Sequence, residues 1–522
     1  MIWAFAISIL IAAGFLLYQW ALPRPIPGVP YDYDAARNLR GNLPEMLAYA
    51  KTNGRLRPWF TSHTLKHKAP LVQFWMIPFT KPMLVLADYQ EAQDILLRRT
   101  KEFDRGQRGA DVFHGVVPNH HIAMTSADPR FKRNKELVRD LMAPGFLNEV
   151  SAPEIYSKTM ALVDLWGLKA QLAEDRPFDA RRDIIDAAMD IINAAAFSFD
   201  GAMTAITAVA DHLGTQFRSV LPRLDHKIRM LTDSELRRNF SRKDAMISRE
   251  INKSLGRLQS GDGTMTSALD HLLQREMNAA SKAGRQPYFH SPQISDELFG
   301  YIVAGHETSA TSLSSDHQDV QAKLRSALRD VYNEALGELR QPTVDEITKK
   351  NVPYLDAVIE ESLRFNAPLP VFGRETTVDT VILGHKIPKG TQVFLPVDGP
   401  SFKLPGFPIA DTMRSETSVE KHWGGQWDAA DMHLFNPERW LKRPEDGPVI
   451  FDAQAGPILS FGLGPRGCFG KRLAYLEMKI VLALVVWNFE FARLSAPFNS
   501  PEAYDAITTM PKYCYVELKK LH

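Results

Sequence analysis

The chain reads as mainly α with small β-sheets, preceded by one long apolar N-terminal helix. Three observations predict this. Helical periodicity with Pro or Ser/Asp starts recurs along most of the chain, the strand-like pieces are short, and Ile2 to Leu22 carries no charge. The 522 residues, 45% of them hydrophobic, suffice for a large core. The formal net charge of +1 gives no overall field for nucleic-acid binding. With only Cys468 and Cys514 present, a disulfide framework is not expected and a reducing compartment is.

The elements follow in order. Residues 1–22 read as a transmembrane anchor, with Trp3 and Trp20 near the two ends and Arg24 just beyond. A signal peptide is the rival reading, but the start lacks Lys and Arg and the apolar stretch is long. Residues 23–30, with proline at alternate positions, form a stiff linker, and residues 31–522 the main folded domain. Glu45–Thr52 and Gln90–Thr100 read as helices around the strands Leu71–Trp75 and Met83–Ala87. Asp128-Pro129 opens a helix, with proline at its first position. From Ile155 to Leu258 the pattern is mostly helical; its basic run Arg237, Arg238, Arg242, Lys243 and Arg249 reads as a solvated face, with membrane-surface contact the alternative. Ser260–Thr264 and Ala280–Arg285 read as loops. A helix with Ser295 as its cap leads into Ala304-Gly305-His306-Glu307-Thr308, and another helix runs from Pro353 through Phe365. Val378–Leu383 and Gln392–Leu395 read as strands, Val397 to His433 as irregular, and Ile480–Val486 as a buried helix. Cys514, in Tyr513-Cys514-Tyr515-Val516, reads as a small buried residue of a strand.

The most informative segment is Phe461-Gly462-Leu463-Gly464-Pro465-Arg466-Gly467-Cys468-Phe469-Gly470. Its glycines allow a tight turn and close approach to a flat macrocycle. Cys468 would stand at the start of the following helix, where free N–H groups and the dipole favour a thiolate. Arg466 suits a carboxylate such as a haem propionate. A structural thiol in a turn is the bland alternative, but such a pattern arises by chance in roughly 1 chain in 10,000. The segment resembles the haem-binding loop of the cytochrome P450 family, and the resemblance extends from about residue 30 to the end of the chain.

The resemblance implies the cytochrome P450 fold and heme b, with its iron axially ligated by Cys468. It implies cofactor contacts from Phe461, Arg466, Arg374, Ala304 and Gly305. On the Asp128 helix the family commonly has Trp, then Arg four residues later; this chain has Phe131 and Lys135, and Lys135 offers a point charge without a fork. Glu361 and Arg364 share a helix face, and the resemblance joins them to Arg439 in a buried charge triad supporting the haem site. Glu307 and Thr308 supply the acid and hydroxyl that relay protons for O–O cleavage. A Thr bonded back to a helix carbonyl is the compatible bland reading. His306 points about 200° away from Thr308 on a helix and is read as a packing residue. Arg130, Lys132, Arg133, Lys471 and Arg472 would form a basic patch for an acidic electron donor.

The implied activity is insertion of one oxygen atom from O2 into an apolar small molecule. Electrons would come from NADPH through a separate NADPH-cytochrome P450 reductase, since no dinucleotide or flavin motif is visible. The resemblance places the protein in the endoplasmic reticulum membrane with a cytosolic catalytic domain. The long Gly/Pro/Trp stretch before Phe435 points to fungal secondary-metabolite members. One departure stands out. After Leu313 the chain runs Ser314-Ser315-Asp316-His317-Gln318-Asp319, and roughly six residues are missing, about 9 Å of helix. Two other readings stay open: an O2-independent haem-thiolate isomerase or dehydratase, although Glu307-Thr308, a pair such relatives often lose, is intact here; and, favoured by the shortening alone, an inactive haem binder or isoform that does not fold.

Overall fold

The computed structural model describes residues 2–76, 78–197, 204–260, 265–306, 317–422, 425, 427–500 and 502–521. It divides into two compact units: residues 1–107, 369–434 and 457–467 form the first, and residues 108–368, 435–456 and 468–522 the second.

The first unit is built on a five-stranded sheet, in the order Leu71–Phe74, Met83–Leu86, Gln392–Pro396, Val371–Thr376, Phe103–Asp104. Only the Met83–Leu86/Gln392–Pro396 pair is parallel. The first two strands are buried at every position; Met83–Leu86 is an unbroken apolar run, and Leu71–Phe74 carries one buried polar residue, Gln73. Trp59 and Phe60 of the Pro58–His67 helix pack with Val72, Phe74, Met83 and Val85 into one cluster. The register Asp104↔Glu375 brings the chain after Phe103 alongside Arg374.

The N-terminal helix forms at Ile2–Ala21, and most of its side chains are exposed. Among the described residues no helix is long and apolar enough to cross a membrane. The expected transmembrane span of residues 1–22 is thus left unconfirmed.

The second unit is mostly helical. Long helices span Ala152–Ala173, Arg181–Phe197, Ser234–Gln259, Ala268–Lys282, Pro292–His306, Pro353–Phe365 and Lys471–Asn488. In the last, Leu482 through Asn488 are all buried, as the apolar run predicts. Trp166 packs edge-on against Phe489 and Phe491, at 6.3 and 6.2 Å between ring centroids.

Several expectations are corrected. The helix carrying Ser295 starts one turn earlier, at Pro292, and the hydroxyl that accepts its Ile294 N–H belongs to Ser291. Ala280–Lys282 continues a helix instead of forming a loop, because Ala and Lys are good helix formers and no glycine comes before Gly284. In the basic run, Lys243 is buried: its ammonium pairs with Asp244 at 2.8 Å and lies 5.0 Å from the Phe299 ring centre. The other four cations of that run are exposed. Cys514 is half-buried beside the Tyr515–Val516 strand, and burial pushes its thiol up to about 11.

Candidate active site

The glycine loop closes the first unit's last segment. Gly462 and Gly464 have φ of +61° and +69°, left-handed values that favour glycine. A Cβ on Gly464 would also collide with the Leu96 carbonyl of the Tyr89–Leu97 helix. The N–H of Gly467 donates to the Gly464 carbonyl at 3.0 Å, completing a tight turn over Gly464–Arg466. Phe461 and Arg466 are half-buried within it.

Arg466 does not stand alone. Arg374 is buried in its strand and donates to the Gly373 carbonyl at 2.9 Å. Burial first, then the Arg466 charge, pulls the Arg374 guanidinium down to about 10; burial pulls Arg466 to about 10 as well. The third member is Arg105, pushed well below its ordinary value by burial and by the charges of Arg466 and Arg374. Asp104 is the acid near all three. Three guanidiniums gathered around one carboxylate form a cationic cradle, and the two carboxylates of a haem are an anion of fitting charge. Sequence reasoning missed Arg105; its only signal was its place directly after a strand-like Phe103-Asp104.

Cys468 lies in the second unit, just ahead of the helix that begins at Lys471. Its side chain is reachable by solvent. Even so, surrounding protein raises the thiol above its ordinary range, outweighing the Gly470 N–H that donates to the sulfur and the Lys471 charge. The expected helix-end stabilisation is therefore present but is the smaller effect. A bound metal cation reverses the balance, because ligation removes the thiol proton.

The predicted triad forms. Arg364 donates to both oxygens of Glu361, Nε to Oε2 at 2.8 Å and Nη2 to Oε1 at 2.7 Å. Arg439 Nε donates to Glu361 Oε1 at 3.2 Å. Two further donors were not foreseen: the Asn436 backbone N–H at 2.7 Å and the Trp440 indole N–H at 3.0 Å. All three charged side chains are buried. Beside the triad, buried Glu360 accepts from the Tyr475 hydroxyl of the Lys471–Asn488 helix at 2.7 Å. Burial lifts the Glu360 carboxyl to about 7.

On the Pro292–His306 helix, Ala304 is exposed and Gly305 partly so. A Cβ on Gly305 would sit 2.6 Å from Ile192 Cδ1. Gly305 thus admits the Arg181–Phe197 helix. Glu307, Thr308 and the shortening after Leu313 lie outside the described residues, as does the side chain of His306. Lys135 is half-buried, with its ammonium 5.4 Å from the Phe131 ring centre. Arg130, Lys132, Arg133, Lys471 and Arg472 are all exposed. Arg130 is bonded to Asp128, and Arg472 donates to the Met142 carbonyl at 3.2 Å.

Comparison with known proteins places this arrangement. The family profile "Cytochrome P450" matches residues 41–399 and 426–517. Cytochrome P450 monooxygenase TRI13 of Fusarium sporotrichioides is 32% identical, with 99% of each chain covered. Cytochrome P450 monooxygenase GME11363 of Pestalotiopsis microspora is 32% identical over 98% of this chain and 97% of its own. A crystal structure of a cytochrome P450, CYP102L1, superposes with a TM-score of 0.67 at 19% identity, covering 96% of this chain and 99% of that one; it speaks for the fold alone. The chain belongs to the cytochrome P450 family. Its enzyme class is that of the cytochrome P450 monooxygenases.

Proposed function

We propose that the protein is a haem-thiolate monooxygenase that inserts one oxygen atom from O2 into an apolar small molecule in fungal secondary metabolism. The observation that carries this is the Cys468 thiol, open to solvent and set directly before the Lys471–Asn488 helix. Haem, when bound, supplies the reductive activation of O2, one atom going to the substrate and the other to water with two electrons and two protons. Cys468 would ligate the iron, with the Gly470 N–H on its sulfur tempering the thiolate charge. Arg105, Arg374 and Arg466 would hold the propionates, and Lys135 is a further candidate. Glu307 and Thr308 would carry protons inward. The cationic cradle has the charge that such a cofactor needs.

The electron source in this reading is NADPH-cytochrome P450 reductase, docking on the exposed cations Arg130, Lys132, Arg133, Lys471 and Arg472. Membrane attachment at the endoplasmic reticulum through residues 1–22 belongs to the same proposal. Its support is an uncharged helix whose Trp3, Phe5, Leu10 and Ile11 are exposed. Removing residues 1–22 then moves protein from the membrane to the soluble fraction.

The central test is spectroscopic. The reduced carbon monoxide complex should show the red-shifted Soret band of thiolate ligation, and Cys468→Ser should lose it. A Cys468→Ser protein that keeps the band would remove Cys468 as ligand. NADPH consumption coupled to product in the presence of reductase separates the monooxygenase from an isomerase, which consumes none.

A further inference from the structure

The first unit contains a cluster that the haem chemistry does not use. Asp32 stands two residues past the proline-rich linker, and His63 and His67 lie one helical turn apart on the Pro58–His67 helix. Residues at this spacing share a face. One ligand atom from each of the three lies within 4.8 Å of the other two.

The hydrogen bonds decide which atoms are open. His63 Nε2 faces the Gln73 carbonyl at 3.3 Å, so that nitrogen must carry the proton. The lone pair is then on Nδ1, which points at Asp32 Oδ2 at 3.7 Å. The His63 side chain is fully buried, and its Nδ1 makes no hydrogen bond among the described residues. His67 Nε2, 3.3 Å from Asp32 Oδ1, likewise makes none. A buried lone pair without a donor is unfavourable, and a cation relieves it. Trp59 stacks on the His63 ring at 4.5 Å and holds its orientation. Asn42 Nδ2 donates to Asp32 Oδ2 at 2.9 Å, fixing the carboxylate. A ring N–H on a carbonyl and an amide on the carboxylate are the outer contacts that metal-binding His and Asp residues have.

We propose that Asp32, His63 and His67 form a divalent-metal site suited to Zn²⁺, with water completing the coordination, that ties the linker to the body of the first unit. Zinc bonds of about 2.1 Å separate two ligand atoms by at most about 4.2 Å, so side-chain shifts of under about 1 Å close the set. Burial keeps His63 below its ordinary range, hence neutral and able to ligate near pH 7. Burial pushes the Asp32 carboxyl up, yet it lies below its ordinary value, the Lys66 hydrogen bond being the largest opposing effect. Gln73 adds to the same tie, holding the backbone of Ile26 and Val29 through its side chain.

Lys66 is the competitor. Its ammonium lies 2.8 Å from Asp32 Oδ1 and 3.0 Å from Glu45 Oε1. Its side chain is half exposed on a flexible stem, so it can leave Asp32 and stay with Glu45. The other His/carboxylate cluster, His120, His121 and Glu297, fits a metal less well. There His120 Nδ1 accepts the Ile122 N–H at 2.9 Å, so the proton sits on the Nε2 that faces Glu297.

The test is calorimetric titration of Zn²⁺ into the full-length haem protein after chelator treatment, at neutral pH. One saturable equivalent is expected. His67→Gln and Asp32→Asn should each weaken it at least about tenfold, a scale reached even by loss of outer-shell partners. Lys66→Gln, an exposed change, should tighten it, because the competing cation is gone. Zn²⁺ should raise the melting temperature of the parent protein and of Lys66→Gln, but not of the two ligand variants. An unchanged reduced carbon monoxide spectrum verifies that each variant is folded. Absence of a saturable equivalent in the parent overturns the proposal. So does undiminished binding in both ligand variants, or no tightening in Lys66→Gln. If the histidines serve only as proton acceptors, the parent binds no Zn²⁺ and its stability shifts with pH alone.

Discussion

Arg105 shows how one side chain can act with opposite sign in two states of the protein. Burial and the charges of Arg374 and Arg466 act against its charge, and Asp104 offsets them only in part. Arg105→Leu should therefore raise the melting temperature of the haem-free protein and speed haem loss from the loaded one. Transfer of haem to an acceptor protein measures the second effect; equal loss rates would take Arg105 out of the cradle. Glu360 carries a pH signature. Its carboxyl sits at about 7 in the folded chain, raised by burial. A folded pKa above the unfolded value means that its contribution is intact below the usual Glu range and is lost as pH rises through about 7. Glu360→Gln keeps an acceptor for Tyr475 and removes the ionisation. It should stabilise the protein at pH 8 by roughly 2–4 kcal/mol and flatten the pH dependence of melting. A parallel shift at all pH values would count against the assignment.

Among the elements, the Pro292–His306 helix depends on Gly305. The contact with Ile192 leaves no volume for a side chain. Gly305→Val should cost about 1–3 kcal/mol through overpacking, and Ile192→Ala should recover part of it in the double variant. Additive losses in the double variant would mean that the two helices do not meet at this point. The Pro353–Phe365 helix shows another kind of dependence. Its Glu361 takes hydrogen bonds from Arg364, Arg439, Asn436 and Trp440, so the helix is held by residues about 75 positions further on. Removing the carboxylate leaves two buried guanidiniums, a loss of about 3–5 kcal/mol.

For the molecule as a whole, the shortening expected from the sequence after Leu313 carries the largest prediction. The Pro292–His306 helix before it and the Gln318–Val331 helix after it are both packed, with Phe299, Ile302, Leu324 and Leu328 buried. His317 stacks on Phe435 at 4.5 Å, and Gln318 donates to the Phe491 carbonyl at 2.7 Å. An apolar helical insert of about six residues between Leu313 and Asp316 adds nearly two turns. Each buried apolar side chain contributes about 1.5–3 kcal/mol. The insert should raise haem content per protein and the melting temperature. Equal values with and without it would show that the fold absorbs the shortening.

Reading residues in order was enough for whatever is contiguous. The loop from Phe461 to Gly470 pointed to the family because tight turn, cation and thiol fall within ten positions. The Pro353–Phe365 helix has the bounds predicted for it, since proline starts it and its apolar period is regular. The Glu361–Arg364 pairing follows from helical spacing, although Arg439 joined it only through family resemblance. Other features came from chain segments far apart. Arg105 meets Arg374 because Phe103–Asp104 pairs in register with Val371–Thr376, and a register is set by sheet packing. Asp32 meets His63 and His67 because the linker folds back along Gln73. Gly305 proved to be a helix contact because Ile192 occupies the space beside it. Local propensity and spacing act over a few residues, and those are legible in one dimension; like charges, lone pairs and close helix contacts are brought together by burial, which needs the whole chain.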